Sequence, residues 1–297
     1  MKLSRTLLVD AVIGSATRQM LKLEMQSGSD RQHYHGLEHV SLVTITARTA
    51  AKRLVGGDEN VWLDTIEVMG MGHDLIQKCD PAGMPHFLFP EVILRKRMRG
   101  PNEDQTADLV VQTIEELDED NLFSDEELAA IDQGIRFTVP EWDNTAKTMI
   151  QPRMLQALDD KTAKPLAVSL AMGDLLLCGT NPDKFIGGSD GLLVEECTDL
   201  VARLLRAKSL SDIPQVIRDR HLDYFRFWDG GQAGFAAGQK KTTFQRVLDA
   251  FPKAADGLIK AFNGFKESGD RAMERANDRM TWSFEQYARQ VGFRLPR

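Results

Sequence analysis

Residues 62–74 read Trp62-Leu63-Asp64-Thr65-Ile66-Glu67-Val68-Met69-Gly70-Met71-Gly72-His73-Asp74. Trp62, Ile66, Met69 and His73 follow at steps of four, three and four, the spacing that stacks side chains on one face of an α-helix. That apolar face belongs in a core, and His73 occupies a place where Leu or Val would serve packing better. An uncompensated polar group there costs roughly 2–7 kcal/mol, so something must satisfy it.

The same irregularity recurs twice. Across 163–178 the stripe runs Ala163, Ala167, Leu170, Asp174, Cys178, with a carboxylate in its middle. Ahead of Val43, Ala47, Ala50 and Leu54 stands His39, and His35 precedes it by four residues in Tyr34-His35-Gly36-Leu37-Glu38-His39. Three helices therefore each send a nitrogen or carboxylate inward, and Asp74 lies beside His73. His39, His73, Asp74 and Asp174 form a set of two nitrogens and two carboxylates that suits a divalent cation: Mn, Fe, Co, Ni, Zn or, less well, Mg. Four protein ligands leave coordination positions for water and substrate, which favours catalysis over a structural role.

Nearly every long segment shares this period, and strict alternation is almost absent. The expected fold is all-α, with helices over 4–26, 37–55, 60–76, 103–117, 125–135, 145–157, 163–178, 190–207, 212–228, 241–265 and 270–291. Ile135-Arg136-Phe137-Thr138-Val139 is the one strand candidate, and Asp80-Pro81-Ala82-Gly83-Met84-Pro85 is read as a break. A longer break at Gly179–Gly191 divides a core of residues 1–180 from a C-terminal helical extension of 181–297, packed separately or on the same domain. Gly230, Gly231, Gly234 and Gly238 mark a second flexible zone.

The 297 residues suffice for a large core; 42% are hydrophobic and 27% charged, with a net charge of -7. That balance argues against general nucleic-acid or membrane-surface binding, which needs a broad basic face. No apolar run reaches the roughly 20 residues needed to span a bilayer. Cys79, Cys178 and Cys197 are too few and scattered for a disulfide framework, so the cytoplasm is the expected compartment.

The order His, then His-Asp, then Asp on helices resembles the HD-domain superfamily of metal-dependent phosphohydrolases, over about residues 31–178. Met172-Gly173-Asp174-Leu175-Leu176 is similar to the setting usual for the last ligand, and Tyr-His-x-x-x-His is also similar to cyclic-nucleotide phosphodiesterases. The resemblance implies an HD-like multi-helix bundle with extra C-terminal helices, with one or two ions held by His39, His73, Asp74 and Asp174. It makes Asp74 the ligand able to bridge two ions and His35 the general acid. The implied substrate is a small anionic phosphoester, foremost a nucleotide or a cyclic or signalling nucleotide. Two departures matter: Gly36 stands where the phosphodiesterases have Asn, and Gln77 where they have His. A diiron oxygenase on the same scaffold needs further histidines between His-Asp and the last Asp, where this chain has His86 alone. A non-catalytic nucleotide-binding effector is the third reading.

Lesser substrate-contact candidates are Lys78, one turn past Asp74 if the helix continues, together with Gln77, His86 and Arg31. His86 reads equally as a loop histidine. The run Arg95-Lys96-Arg97-Met98-Arg99 reads as a solvated basic face before an anion-attracting lid. Tyr224, Phe225, Phe227 and Trp228 read as core or as a contact between copies of the chain in a homo-oligomer.

Overall fold

Helix α2 (Leu37–Leu54) is the element around which the site is arranged. It buries His39, Val40, Val43, Thr44, Ala47, Ala50 and Ala51, a stripe of small and branched side chains. Helices α3 (Leu63–Gly72) and α7 (Pro165–Leu175) both pack on it. Two glycines set their distance. A Cβ on Gly70 would lie 2.9 Å from the Thr44 Cα, and one on Gly173 2.6 Å from the Val43 carbonyl oxygen. Contacts that short do not occur between real atoms, so only glycine lets α3 and α7 approach α2 this closely. His73 follows Gly70 by one helical turn, and Asp174 follows Gly173 directly.

The computed structural model describes residues 4–25, 34–146 and 148–296. The chain is all-α in class, with two small antiparallel two-stranded sheets among the described residues. Helix α1 (Arg5–Glu24) packs on α3, while α4 (Pro101–Leu117) and α5 (Asp125–Phe137) close the first core around Ile66, Met69, Ile114, Ile131 and Leu170. α7 is buried from Ala167 through Gly173 on all sides, so it is a central helix rather than an amphipathic one.

Between α3 and α4 lies a hairpin of β1 (Cys79–Pro85) and β2 (Ile93–Arg97), with Cys79 opposite Arg97 and Pro85 opposite Ile93. Asn102 ties its base to α4: its amide donates to the Lys78 carbonyl at 2.9 Å and its Oδ1 accepts the Lys78 N–H at 3.1 Å. After α5 come a short hairpin of β3 (Glu141–Asp143) and β4 (Thr148–Ile150), α6 (Pro152–Asp159), α7 and α8 (Leu177–Thr180). The remainder comprises α9 (Pro182–Glu196), α10 (Thr198–Arg206), α11 (Gln215–Gln239), a π-helical turn at Lys240–Phe244, α12 (Gln245–Ala250), α13 (Ala255–Ala261), α14 (Phe265–Arg279) and α15 (Phe284–Val291). Tyr224, Phe225 and Tyr287 anchor a further core here, so the aromatic cluster at 224–228 is largely interior.

Several expected elements differ. The Ile135–Val139 segment is the end of α5, because Ile131 and Ile135 sit one helical turn apart on a buried face and Pro140 stops the helix only afterwards. Residues 145–157 split into β4 and α6. The helix expected over 60–76 ends at Gly72, and those at 190–207, 241–265 and 270–291 are each broken into shorter elements. Conversely, the break at Gly179–Gly191 is mostly helix: Asn181 accepts the Lys184 N–H at 3.1 Å and Pro182 opens α9. The four glycines at 230–238 lie inside α11. The Asp80–Pro85 break pairs as a strand, its proline and glycine accommodated by an irregular register between Asp80 and Met84.

Candidate metal centre

Three elements deliver the polar set to one point. His39 lies in the first turn of α2, whose Leu37 N–H donates to the Glu24 carboxylate at 2.5 Å. Gly36 admits that carboxylate, since a Cβ there would run into it, which gives the departure at this position a structural reason. His73 caps the C-terminus of α3, Asp74 follows it, and Asp174 sits near the end of α7.

His39 Nε2 stands 3.3 Å from Asp74 Oδ2 and 3.5 Å from Asp174 Oδ1. His73 Nε2 stands 3.3 Å and 3.8 Å from the same two oxygens. Ligand atoms about 2.1 Å from a shared ion lie about 3.0 Å apart when adjacent in an octahedron and about 3.4 Å apart in a tetrahedron. The spacing of the four groups therefore fits a common cation.

Their hydrogen bonding fits it too. His73 Nδ1 lies 2.8 Å from the Gly70 carbonyl, which can only accept, so the proton is on Nδ1 and the Nε2 lone pair faces the site. Asp74 accepts the Gln77 amide at Oδ1 (2.8 Å), leaving Oδ2 inward. Asp174 accepts a long 3.4 Å bond from the Gln151 amide, which also donates to the Ala171 carbonyl at 3.0 Å. His39 Nε2, His73 Nε2 and Asp74 Oδ2 are shut away from solvent with no hydrogen-bond partner. Each such orphan costs about 1–3 kcal/mol, and a cation would satisfy all three at once. Without one, protons gather: burial opposes charge on His39, but Asp174 and Asp74 beside it push its pKa up to about 9. Burial likewise opposes charge on Asp74, yet the flanking His73, His35 and His39 hold it well below the usual carboxylate range.

The side chains of Asp174 and His35 are 17% and 15% exposed, against 1% for His73, so solvent reaches the site from the side of Asp174 and His35. A ring nitrogen of His35 joins His39 and a carboxylate oxygen of Asp74 in a second group whose ligating atoms lie within 4.8 Å of one another, beside the first group of His39, His73 and Asp174.

The surroundings of His35 were not legible in the sequence. Glu195, on α9, is fully buried and aims one oxygen at the Tyr34 and His35 N–H groups (2.7 and 3.2 Å) and the other at His35 Nδ1 (2.7 Å). Arg97 reaches the same nitrogen at 2.7 Å and also bonds Glu195, Glu196 and Gln77. A carboxylate can only accept, whereas Arg97 has other acceptors, so His35 Nδ1 carries the proton and donates to Glu195. Burial and then Arg97 lower the His35 pKa, with Glu195 acting the other way.

The remaining candidates fall elsewhere. Because α3 ends at Gly72, Lys78 is not one turn from Asp74, and its ammonium donates to Gln105 at 2.6 Å. His86 stands at the opposite end of the hairpin from Arg97, among Phe87, Phe89, Tyr224 and Phe227, and belongs to neither ligand group. Arg31 lies outside the described residues. The basic run is not a uniformly solvated face: Arg95 and Arg97 turn inward to Glu195, while Lys96 points out to Asp80. No helix among the described residues is long and apolar enough to cross a membrane. No family model, no curated protein and no solved structure matches the chain.

Proposed function

We propose that this protein is a metal-dependent phosphohydrolase of the HD-domain type that cleaves a small phosphoester, foremost a nucleotide or a cyclic or signalling nucleotide. The observation that carries the reading is the convergence of three buried, unpartnered ligand atoms, of His39, His73 and Asp74, with an Asp174 oxygen on one point, in the chain order His39, His73-Asp74, Asp174. The substrate class rests on the resemblance of that order to the superfamily.

A divalent cation bound by His39, His73, Asp74 and Asp174 would supply a hydroxide equivalent near neutral pH and countercharge for phosphoryl oxygens. The chain's residues prepare the rest. Gln77 and Gln151 hold the outer oxygens of Asp74 and Asp174, so the inner ones keep their aim. Glu195 fixes His35 through Nδ1, which leaves Nε2 as the ring nitrogen available for proton transfer. In hydrolysis the phosphorus–oxygen ester bond breaks as oxygen from water bonds to phosphorus; the leaving oxygen takes a proton from the imidazolium form of His35, and the proton lost by the water passes to solvent, from which the ring is recharged.

The test is release of phosphate or nucleoside from a nucleotide and phosphoester panel with added Mn, Co or Mg, comparing the parent protein with Asp74→Ala. Hydrolysis by the parent and its loss in the variant are expected. Full activity in Asp74→Ala would show that the site is wrongly assigned.

A further inference from the structure

The hairpin of β1 and β2 ends in a surface that the metal centre does not use. At its tip Phe87 is 81% exposed and Leu88 53% exposed, beside a partly buried His86. The His86 ring stands 4.8 Å from that of Phe87 and 5.4 Å from that of Phe227, a residue of α11 that is itself 44% exposed. Three large apolar side chains therefore share one patch, the kind of surface a chain leaves open for a partner.

Along α11 this patch runs into a hollow. Phe227, Gly231 and Gly234 follow at steps of four and three on one exposed helix face, with exposed Gly230 beside them. A Cβ on any of these three glycines would touch nothing among the described residues, so no contact among them calls for glycine there. Glycine weakens a helix interior, and its bare backbone lets a neighbouring molecule approach closely. Gly234 lies about 10 Å along the helix axis from Phe227, so protrusion and hollow adjoin.

A second copy of the chain fits both at once. In a two-fold pair each surface meets its own image, so Phe87 and Leu88 of one copy enter the glycine hollow of the other, and the reverse. Charge agrees. Arg220, two turns ahead of Phe227, lies 3.8 Å from Glu91 of the hairpin and 3.8 Å from Asp223, short of a hydrogen bond to either. Opposite signs at the edge of the patch let the Arg220 of each copy meet the Glu91 of the other. Two carboxylates against one guanidinium oppose an anionic lipid surface.

We propose that this protein self-associates as a two-fold dimer through the hairpin tip and the glycine face of α11. The proposal is independent of the metal-binding reading. It is tested on the full chain by sedimentation velocity over a dilution series, with folding of each variant checked by circular dichroism. A reversible dimer is expected. The double variant Phe87→Ser, Leu88→Ser, and separately Gly234→Leu, which fills the hollow with a better helix former, should each weaken association by about tenfold or more. Arg220→Glu and Glu91→Arg should each associate poorly alone and recover association when mixed in equal amounts, which a folding defect would not do. A parent that is monomeric at every concentration overturns the proposal, as does a dimer indifferent to all these variants. So does a monomeric parent that floats with anionic vesicles through Phe87 and Leu88, which would assign the patch to a membrane.

Discussion

Two clusters of charge are buried in this chain, and they are closed in different ways. Near the C-terminus Asp190 and Asp229 meet Arg275 and Arg279: Arg279 bonds Asp190 twice at 2.8 Å, and Arg275 stands 3.0 Å from Asp229. Tyr287 adds its hydroxyl to Asp229. Two negative charges face two positive ones, so the cluster neutralises itself and joins α9, α11 and α14. At the other cluster two aspartates face two imidazoles that have no fixed charge; three of its atoms lack a hydrogen-bond partner, as do Asp229 Oδ1 and Arg275 Nε in the first, so the difference between the two lies in the balance of fixed charge. A set that cancels internally acts as a joint; a set whose lone pairs face inward could hold a cation.

The sharpest way to break that contrast is Asp174→Ala. Loss of the ion's countercharge should cost several kcal/mol at the transition state, about 10³-fold or more in phosphoester turnover, and metal content should fall with it. Undiminished metal content would remove Asp174 from the site. The opposite cluster should respond in stability alone. Asp229→Ala leaves two buried guanidinium groups short of a partner and should destabilise by about 3–5 kcal/mol in urea denaturation, with bound manganese per chain unchanged. A variant as stable as the parent would mean that the joint holds nothing.

A smaller effect is expected from Glu195→Gln, which keeps the size of the side chain but removes the charge that supports protonated His35. Turnover should drop by about 10²-fold at similar KM. Since Glu195 raises the His35 pKa against burial and Arg97, the alkaline limb of the pH–rate profile should move to lower pH. An unmoved limb would separate His35 from the proton donation.

The smallest is thermal. In metal-free protein His39 is raised to about 9, above an unfolded value of about 6.5. Its contribution to stability is therefore fully present below pH 6.5 and lost as pH rises through 9. Melting temperature of the chelated protein should fall over that window, and the stabilisation gained from added Mn²⁺ should grow, because the ion needs the deprotonated ring. A chelated protein with a flat profile would count against the His39–Asp74–Asp174 contact.

The ligand side of the centre was readable because His39, His73 and Asp174 interrupt apolar helical stripes, an irregularity visible within a few residues of each. The all-α class was readable from the same period. Glu195 and Arg97 were hidden for the opposite reason: Glu195 sits in a run that looks like an ordinary helix end, and Arg97 in a basic run that looks solvated. Each acquires meaning only from a partner far away in the chain, as with the 160 residues between His35 and Glu195. The hairpin escaped notice because proline and glycine mask the pairing of Cys79–Pro85 with Ile93–Arg97. The divisions of the later helices were obscured because caps such as Asn181, which open α9, also occur in loops.

The glycines that seat α3 and α7 on α2 have a consequence for selectivity. Gly70 is one turn before His73 and Gly173 immediately precedes Asp174, so the thickness of backbone at those contacts determines how far apart the donor atoms stand. A single added methyl at either position would spread the donor atoms, and for the cation proposed above that shift favours a larger ionic radius.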